Sequence, residues 1–245
     1  MSESNNTLTK NAIKHFILKI DFSPPELYKN SVIVEHLSKH FDRVEKREIS
    51  NISLKFTQQE SEVLRNISHD YVMVSEAHSV NITFSDIQNA FWIESNKYTN
   101  NSIYKEMLEL IVNAFKELFP TSQSRRIGMR YVNEFTCSKM TDIRKIFNPD
   151  VANIIKSMLR NDSIMRAIAV EEYNYTNFKS RVQYGISNKF YPSIISTYDS
   201  ILDIDCFNEI IADIDDWDNI IKELNHCAYG IFKGMLNEKY IEDLK

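Results

Sequence analysis

The chain has 245 residues, a formal net charge of −5 and only 4 glycines, where average usage gives roughly 17. No two glycines lie within three residues of each other, and phosphate-cradling loops need them clustered, because backbone must approach phosphate at positive φ. The dinucleotide fingerprint, the P-loop, the kinase glycine loop and the Gly-x-Ser-x-Gly nucleophile elbow are thereby excluded.

Residues 1–12 read as a flexible tail. His15–Phe22 alternates as a first strand, with Phe16, Leu18 and Ile20 on one face, and Ser23-Pro24-Pro25 stops it. Residues 31–41 fit a short helix or an irregular segment, and residues 46–57 alternate as a strand through Ile49, Ile52, Leu54 and Phe56. Residues 70–96 read as an antiparallel meander of three short β-branched or aromatic runs separated by polar turns. A helix follows, with Ile103, Met107, Leu110, Ile111, Ala114, Phe115 and Leu118 at 3–4 spacing, and Pro120 ends it.

Ile127–Phe135 is the next strand. Ile127, Met129, Tyr131 and Phe135 share one face; Arg126, Gly128, Arg130, Val132 and Glu134 share the other. Residues 141–159 are helical but carry Pro149, so the spacing predicts two short helices. Met165–Tyr173, Phe178–Ser187 and Ser193–Asp205 form a second meander. A helix over about 216–236 closes the chain, with Asp213, Asp215 and Asp216 at its N-terminal end, where carboxylates suit the helix dipole.

Strand runs followed by helices, rather than strict βαβ alternation, predict an α+β fold. The expected architecture is two similarly laid out halves, each an antiparallel meander covered by a long amphipathic helix. The first covers 13–120 and the second 164–245, and 121–163 bridges them within one unit. The halves do not align closely in sequence, so the repeat is one of layout.

Cys137, Cys206 and Cys227 are widely spaced and form no Cys-x-x-Cys pair, which points to reduced thiols rather than a zinc or redox motif. The polar N-terminus and the lack of an apolar run near ~18 residues predict a cytoplasmic protein with no membrane partner. Charge is unevenly spread. Residues 121–166 carry 9 basic and 4 acidic side chains, and residues 201–220 carry 7 acidic and no basic ones. The excesses belong either to solvated faces or to a polarised partner surface.

The run Arg126-Ile127-Gly128-Met129-Arg130-Tyr131-Val132-Asn133 resembles the most recognisable motif of a sporadically distributed prokaryotic family of similar length, known by a number and without an established activity. Asp70–Phe84, Trp92–Tyr98, Leu202-Asp203-Ile204-Asp205-Cys206-Phe207 and Leu224–Phe232 are similar to further blocks of that family, in the same order. The resemblance spans roughly residues 10–240 and is weakest over the first 60, where Pro24-Pro25 follows the first strand instead of opening the chain. It implies a cytosolic α+β protein of the kind found in mobile or defence loci, and it implies no catalytic residues.

The residues themselves offer three candidate sites. Arg126, Arg130 and Asn133 are candidates for gripping an anion or a partner, unless the arginines pair across strands with carboxylates such as Asp203 and Asp205. Asp203 and Asp205 share a strand face and are a weak candidate for Mg²⁺ or Mn²⁺, with Asp213 or Asp216 as a third ligand. Tyr173, Tyr175, Phe178 and Tyr184, with Lys179 and Arg181, could stack bases. His36 and His40 have i, i+4 spacing without a zincin pattern, and His226 beside Cys227 points away from it around the helix. No cofactor is indicated. The expected function is a non-catalytic binding or accessory subunit with a protein partner or self-association. An RNA or nucleotide binder using Arg126 and Arg130 is the alternative, and a metal-dependent enzyme at Asp203 and Asp205 comes last.

Overall fold

A computed structural model describes residues 12–25, 28–56, 61–98, 101–160 and 163–244, with the side chains of 51–66 and 101–103 left aside. The tail read over 1–12 falls outside these up to residue 11, as does residue 57 of the second predicted strand.

Alternation and helical periodicity translate into ten strands and six α-helices. In chain order they are β1 (Ile13–Ser23), α1 (Asn30–Leu37), β2 (Arg43–Phe56), β3 (Ser61–Ser75), β4 (Val80–Ser85), β5 (Ala90–Ser95), α2 (Asn101–Leu118) and β6 (Gln123–Phe135). There follow α3 (Met140–Ile146), α4 (Pro149–Met158), β7 (Ala167–Asn174), β8 (Lys179–Ile186), β9 (Ser200–Asn208), β10 (Ala212–Asp213), α5 (Trp217–Met235) and α6 (Glu238–Leu244). Pro149 divides the 141–159 helix as predicted. It occupies the first turn of α4, where its missing N–H costs nothing, and the Asn148 side chain accepts from Val151 N at 2.9 Å.

The strands form one antiparallel sheet in the order β2-β3-β4-β5-β1-β6-β9-β8-β7, with β10 added beside β6. The two meanders are therefore not two separate sheets. β1 pairs with β6 from Ile13↔Asn133 to Ser23↔Gln123 and joins them into one continuous surface.

Period two gives this sheet two faces. Phe16, Leu18 and Ile20 of β1, Ile127, Met129 and Tyr131 of β6, and Leu202, Ile204 and Cys206 of β9 are buried on one of them. The buried apolar residues of all six helices belong to that same core. Helix α5 packs on β6 and β9, α2 on β5, α1 on β3 and β4, and α4 on β7 and β8. The stripe of α5 buries Trp217, Ile221, Leu224, Ala228 and Phe232. Phe115 of α2 meets Trp217 at 5.6 Å between ring centroids, so the two long helices touch over the middle of the sheet. Among the described residues, the opposite face of the sheet has no helix on it.

Several expectations change. The third strand of the second meander begins at Ser200 instead of Ser193, because Asn188 ties 188–193 into a loop that bonds Met165 and Ser193. A further helix, α6, docks Ile241 and Leu244 beyond the predicted last one. Asp213, Asp215 and Asp216 do lie at the N-terminal end of α5, but without side-chain capping bonds: Asp213 accepts from Gln123 at 2.8 Å and Asp215 pairs with Lys116 at 2.5 Å. At Gly230 and Gly234 of α5 a Cβ would meet nothing within 4 Å, so neither glycine serves a close approach. No described helix is long and apolar enough to cross a membrane.

Candidate functional site

The helix-free face of β6 carries Arg126, Gly128 and Arg130, and the neighbouring face of β9 carries Asp203, Asp205 and Phe207. The register sets Gly128 opposite Phe207, Arg130 opposite Asp205 and Val132 opposite Asp203. Both arginines lean along the strands. Arg130 reaches diagonally to Asp203, Nε–Oδ1 2.8 Å and Nη2–Oδ2 2.6 Å. This is a bidentate fork that fixes both partners. The bonds to Asp203 hold the guanidinium more firmly protonated than usual. Asp203 is 6% exposed and Arg130 43%, so the arginine roofs a buried carboxylate.

Arg126 reaches further. Its guanidinium passes over Gly128 to Asp205, 3.4 Å away, and stands 4.0 Å from Asp21 of β1. It lies 4.5 Å above the Phe207 ring, a cation–π contact. Gly128 makes this passage possible: a Cβ there would stand 2.8 Å from Nη1 of Arg126. The strand glycine thus marks a close approach by a side chain from the same strand. Burial raises the pKa of Asp205, and the nearby Arg126 and Arg130 only partly oppose it.

Outward from this pair the ion pairs continue. Arg181 of β8 stands 3.7 Å from Glu172, Lys179 is 2.6 Å from Glu209, and Lys19 is 3.0 Å from Asp21. Arg126, Lys179, Arg181, Asp205, Phe207 and Tyr173 border a shallow groove of about 500 Å³, together with Glu172 and Glu209. Three cations thus meet three carboxylates. The basic 121–166 and acidic 201–220 segments partly neutralise each other, because β6 and β9 are hydrogen-bonded neighbours.

Asn133 is separated from the arginines. It is an odd-numbered residue, whereas Arg126 and Arg130 are even-numbered, so it shares the face of Met129 and Tyr131 and points into the core, 1% exposed. Its Nδ2 donates to Leu202 O at 2.9 Å, and its Oδ1 has no partner among the described residues. A partner approaching Arg126 and Arg130 cannot reach it. Asp203 and Asp205 do share a face, but each is engaged by an arginine. No group of three or more His, Cys, Asp or Glu side chains able to hold a metal occurs among the described residues.

The aromatic platform also divides. Tyr184 is 1% exposed on the core face, and its hydroxyl donates to Glu171 at 2.5 Å. Tyr173, Tyr175 and Phe178 gather at the β7–β8 hairpin, with centroids 6.1 and 4.6 Å apart. His36 faces Glu117 at 3.7 Å, and His40 lies in a 3₁₀ turn beyond the end of α1.

Two features were not anticipated. Cys227 turns toward Cys206, sulfur to sulfur 3.4 Å. Four exposed apolar side chains lie on the 188–194 loop and at Met165 beside it: Phe190 and Tyr191 are each 60% exposed, Ile194 53% and Met165 45%. The loop bearing them is pinned by Asn188, which is itself buried. Its Nδ2 donates to Met165 O at 2.6 Å and Ser193 O at 2.7 Å, and its Oδ1 accepts from Phe190 N at 3.1 Å. Comparison with protein-family models, curated proteins and solved structures finds no match.

Proposed function

We propose that this chain is a non-catalytic protein-binding subunit, and that the loop carrying Phe190, Tyr191 and Ile194, with Met165 beside it, is where a partner protein docks. The observation that carries this reading is the pinning of that loop. A buried asparagine spends three hydrogen bonds on a conformation whose result is large apolar side chains in water. Clustered exposed apolar groups of this kind mark interaction sites, and a pre-formed loop loses little conformational entropy on binding. The family resemblance adds a setting, an accessory role in a prokaryotic cytosolic assembly from a mobile or defence locus. In this reading the chain is also a repeat of layout: strand, helix, meander and long helix, run twice and meeting at the β1–β6 pair.

The nucleic-acid reading is weaker, because Arg126 and Arg130 already hold carboxylates and a phosphate would have to displace them. Purification from native cells separates the two. The wild-type chain is expected to carry a stoichiometric protein chain that is lost from Phe190→Asp/Tyr191→Asp. A monomer by light scattering with no such chain overturns the proposal. Co-purified RNA, released as salt rises and retained by the double variant, replaces it with the nucleic-acid reading.

A further inference from the structure

We propose that Cys206 and Cys227 form a peroxide-oxidisable dithiol that closes to an intramolecular disulfide between β9 and α5. The two sulfurs are 3.4 Å apart, and a disulfide needs about 2.0 Å, so closure is a movement of about 1.4 Å. Each side chain already points at the other. Cys206 follows Leu202 and Ile204 on the core face of β9, and Cys227 lies on the inner side of α5, which packs on that strand.

The pair is chemically asymmetric. Cys206 is fully buried and its S–H donates to the Cys227 sulfur. That bond holds the Cys227 thiol below its ordinary pKa and pushes Cys206 up. Cys227 is also the half-buried member, so the thiol better able to ionise is the one a small oxidant reaches first.

The steps balance with hydrogen peroxide as the oxidant. The Cys227 thiolate attacks one peroxide oxygen and the O–O bond breaks. Hydroxide leaves and takes up a proton as water, and Cys227 becomes a sulfenic acid. The Cys206 sulfur then attacks the Cys227 sulfur, the S–O bond breaks, and the departing hydroxide takes the Cys206 proton as a second water. Two thiols and one peroxide become one disulfide and two waters, and an external dithiol reverses the change by exchange. Cys137 is the internal control. It is buried, its thiol sits 3.8 Å from the Ser200 hydroxyl, burial pushes its pKa up, and no described cysteine faces it.

The test uses the full reduced chain, treated with hydrogen peroxide, unfolded and labelled with a maleimide. Labels are expected to fall from three per chain to one, with the unlabelled mass lower by two hydrogens. A peptide linking Cys206 to Cys227 should appear, and dithiothreitol should restore all three labels. In Cys206→Ser, Cys227 should halt at the sulfenic acid and be captured by dimedone, about tenfold faster than Cys137 reacts. Three labels retained in the wild type, thiols lost only as sulfinic acid, or a link only between chains would each overturn the proposal. The wild-type measurement needs no variant to fold.

Discussion

Arg130 grips Asp203 through two parallel hydrogen bonds although the strand register places it opposite Asp205. The diagonal reach leaves Asp203 covered and satisfied. Removing only the arginine strands a buried carboxylate, so Arg130→Leu is expected to cost about 1–3 kcal/mol. Arg130→Leu/Asp203→Leu should recover most of that loss. Urea unfolding of the wild type, both single variants and the double variant gives the coupling directly. Full additivity would mean that the fork does not stabilise the fold.

Gly128 has a different consequence. An alanine there meets the mobile end of Arg126, not backbone, so the side chain should swing away and the strand should survive. Gly128→Ala is expected to shift stability by less than about 1 kcal/mol. It should also abolish any further effect of Arg126→Leu, because both changes take the guanidinium off Asp205 and Phe207. The double-variant cycle would show this as strong non-additivity.

Gly185 behaves oppositely. Its φ is +142°, and a Cβ would stand 2.1 Å from the carbonyl oxygen of Ala167 on β7. Gly185→Ala is expected to cost at least about 2 kcal/mol and to loosen β7 before the rest of the sheet. Hydrogen exchange should show the amides of Ala167–Asn174 losing protection first.

Asp205 makes stability pH-dependent with a definite sign. Its folded pKa is raised by burial, so the folded state holds this proton more tightly than the unfolded chain does. The stabilisation is complete below the ordinary aspartate value of about 3.9. It is lost as pH rises through the folded value. In Asp205→Asn this contribution is absent. The stability difference between variant and wild type should therefore move in the variant's favour as pH rises above about 4, and then level off. Thermal or urea unfolding at a series of pH values measures it.

The Phe190–Tyr191 loop predicts a separation of binding from folding. Both side chains are mostly in water, so Phe190→Asp/Tyr191→Asp should change unfolding stability by no more than about 0.5 kcal/mol. Asn188→Ala should instead loosen the loop itself, read as faster proteolysis within 188–194, because the side chain's bonds to two carbonyls and one amide vanish.

Local periodicity carried far in this chain. The even and odd faces of β6 and the apolar stripes of α2 and α5 follow from residue spacing alone, as does the break at Pro149. Whether Arg126 and Arg130 were free or paired depended on which strand lay next to β6. That is a long-range choice, and no spacing within 123–135 records it. Grouping Asn133 with the arginines followed the motif as a string, whereas period two already placed it on the other face. The cysteine pair was legible in part. Cys206 continues the inward series Leu202 and Ile204, and Cys227 adjoins the stripe of Leu224, Ala228 and Ile231, but their meeting required α5 to lie on β9. The Phe190 loop carries no periodic signal, and its rigidity comes from Asn188 reaching a carbonyl 23 residues away.

The central position of β1 also sets an order of events during synthesis. It precedes both of its neighbours in the chain, β5 at Ala90–Ser95 and β6 at Gln123–Phe135, by about 70 residues or more. Its hydrophobic side chains therefore have no sheet partner until β5 has been made, and their second partner follows only after more than half of the 245 residues. The β2–β3–β4–β5 meander, built from neighbouring hairpins, can assemble while β1 waits, since local pairings carry the smaller loop-closure cost. The seam between β1 and β6 closes last among the central pairings of the first 135 residues, and until then a nascent chain shows a protease or chaperone an apolar strand that the finished protein conceals.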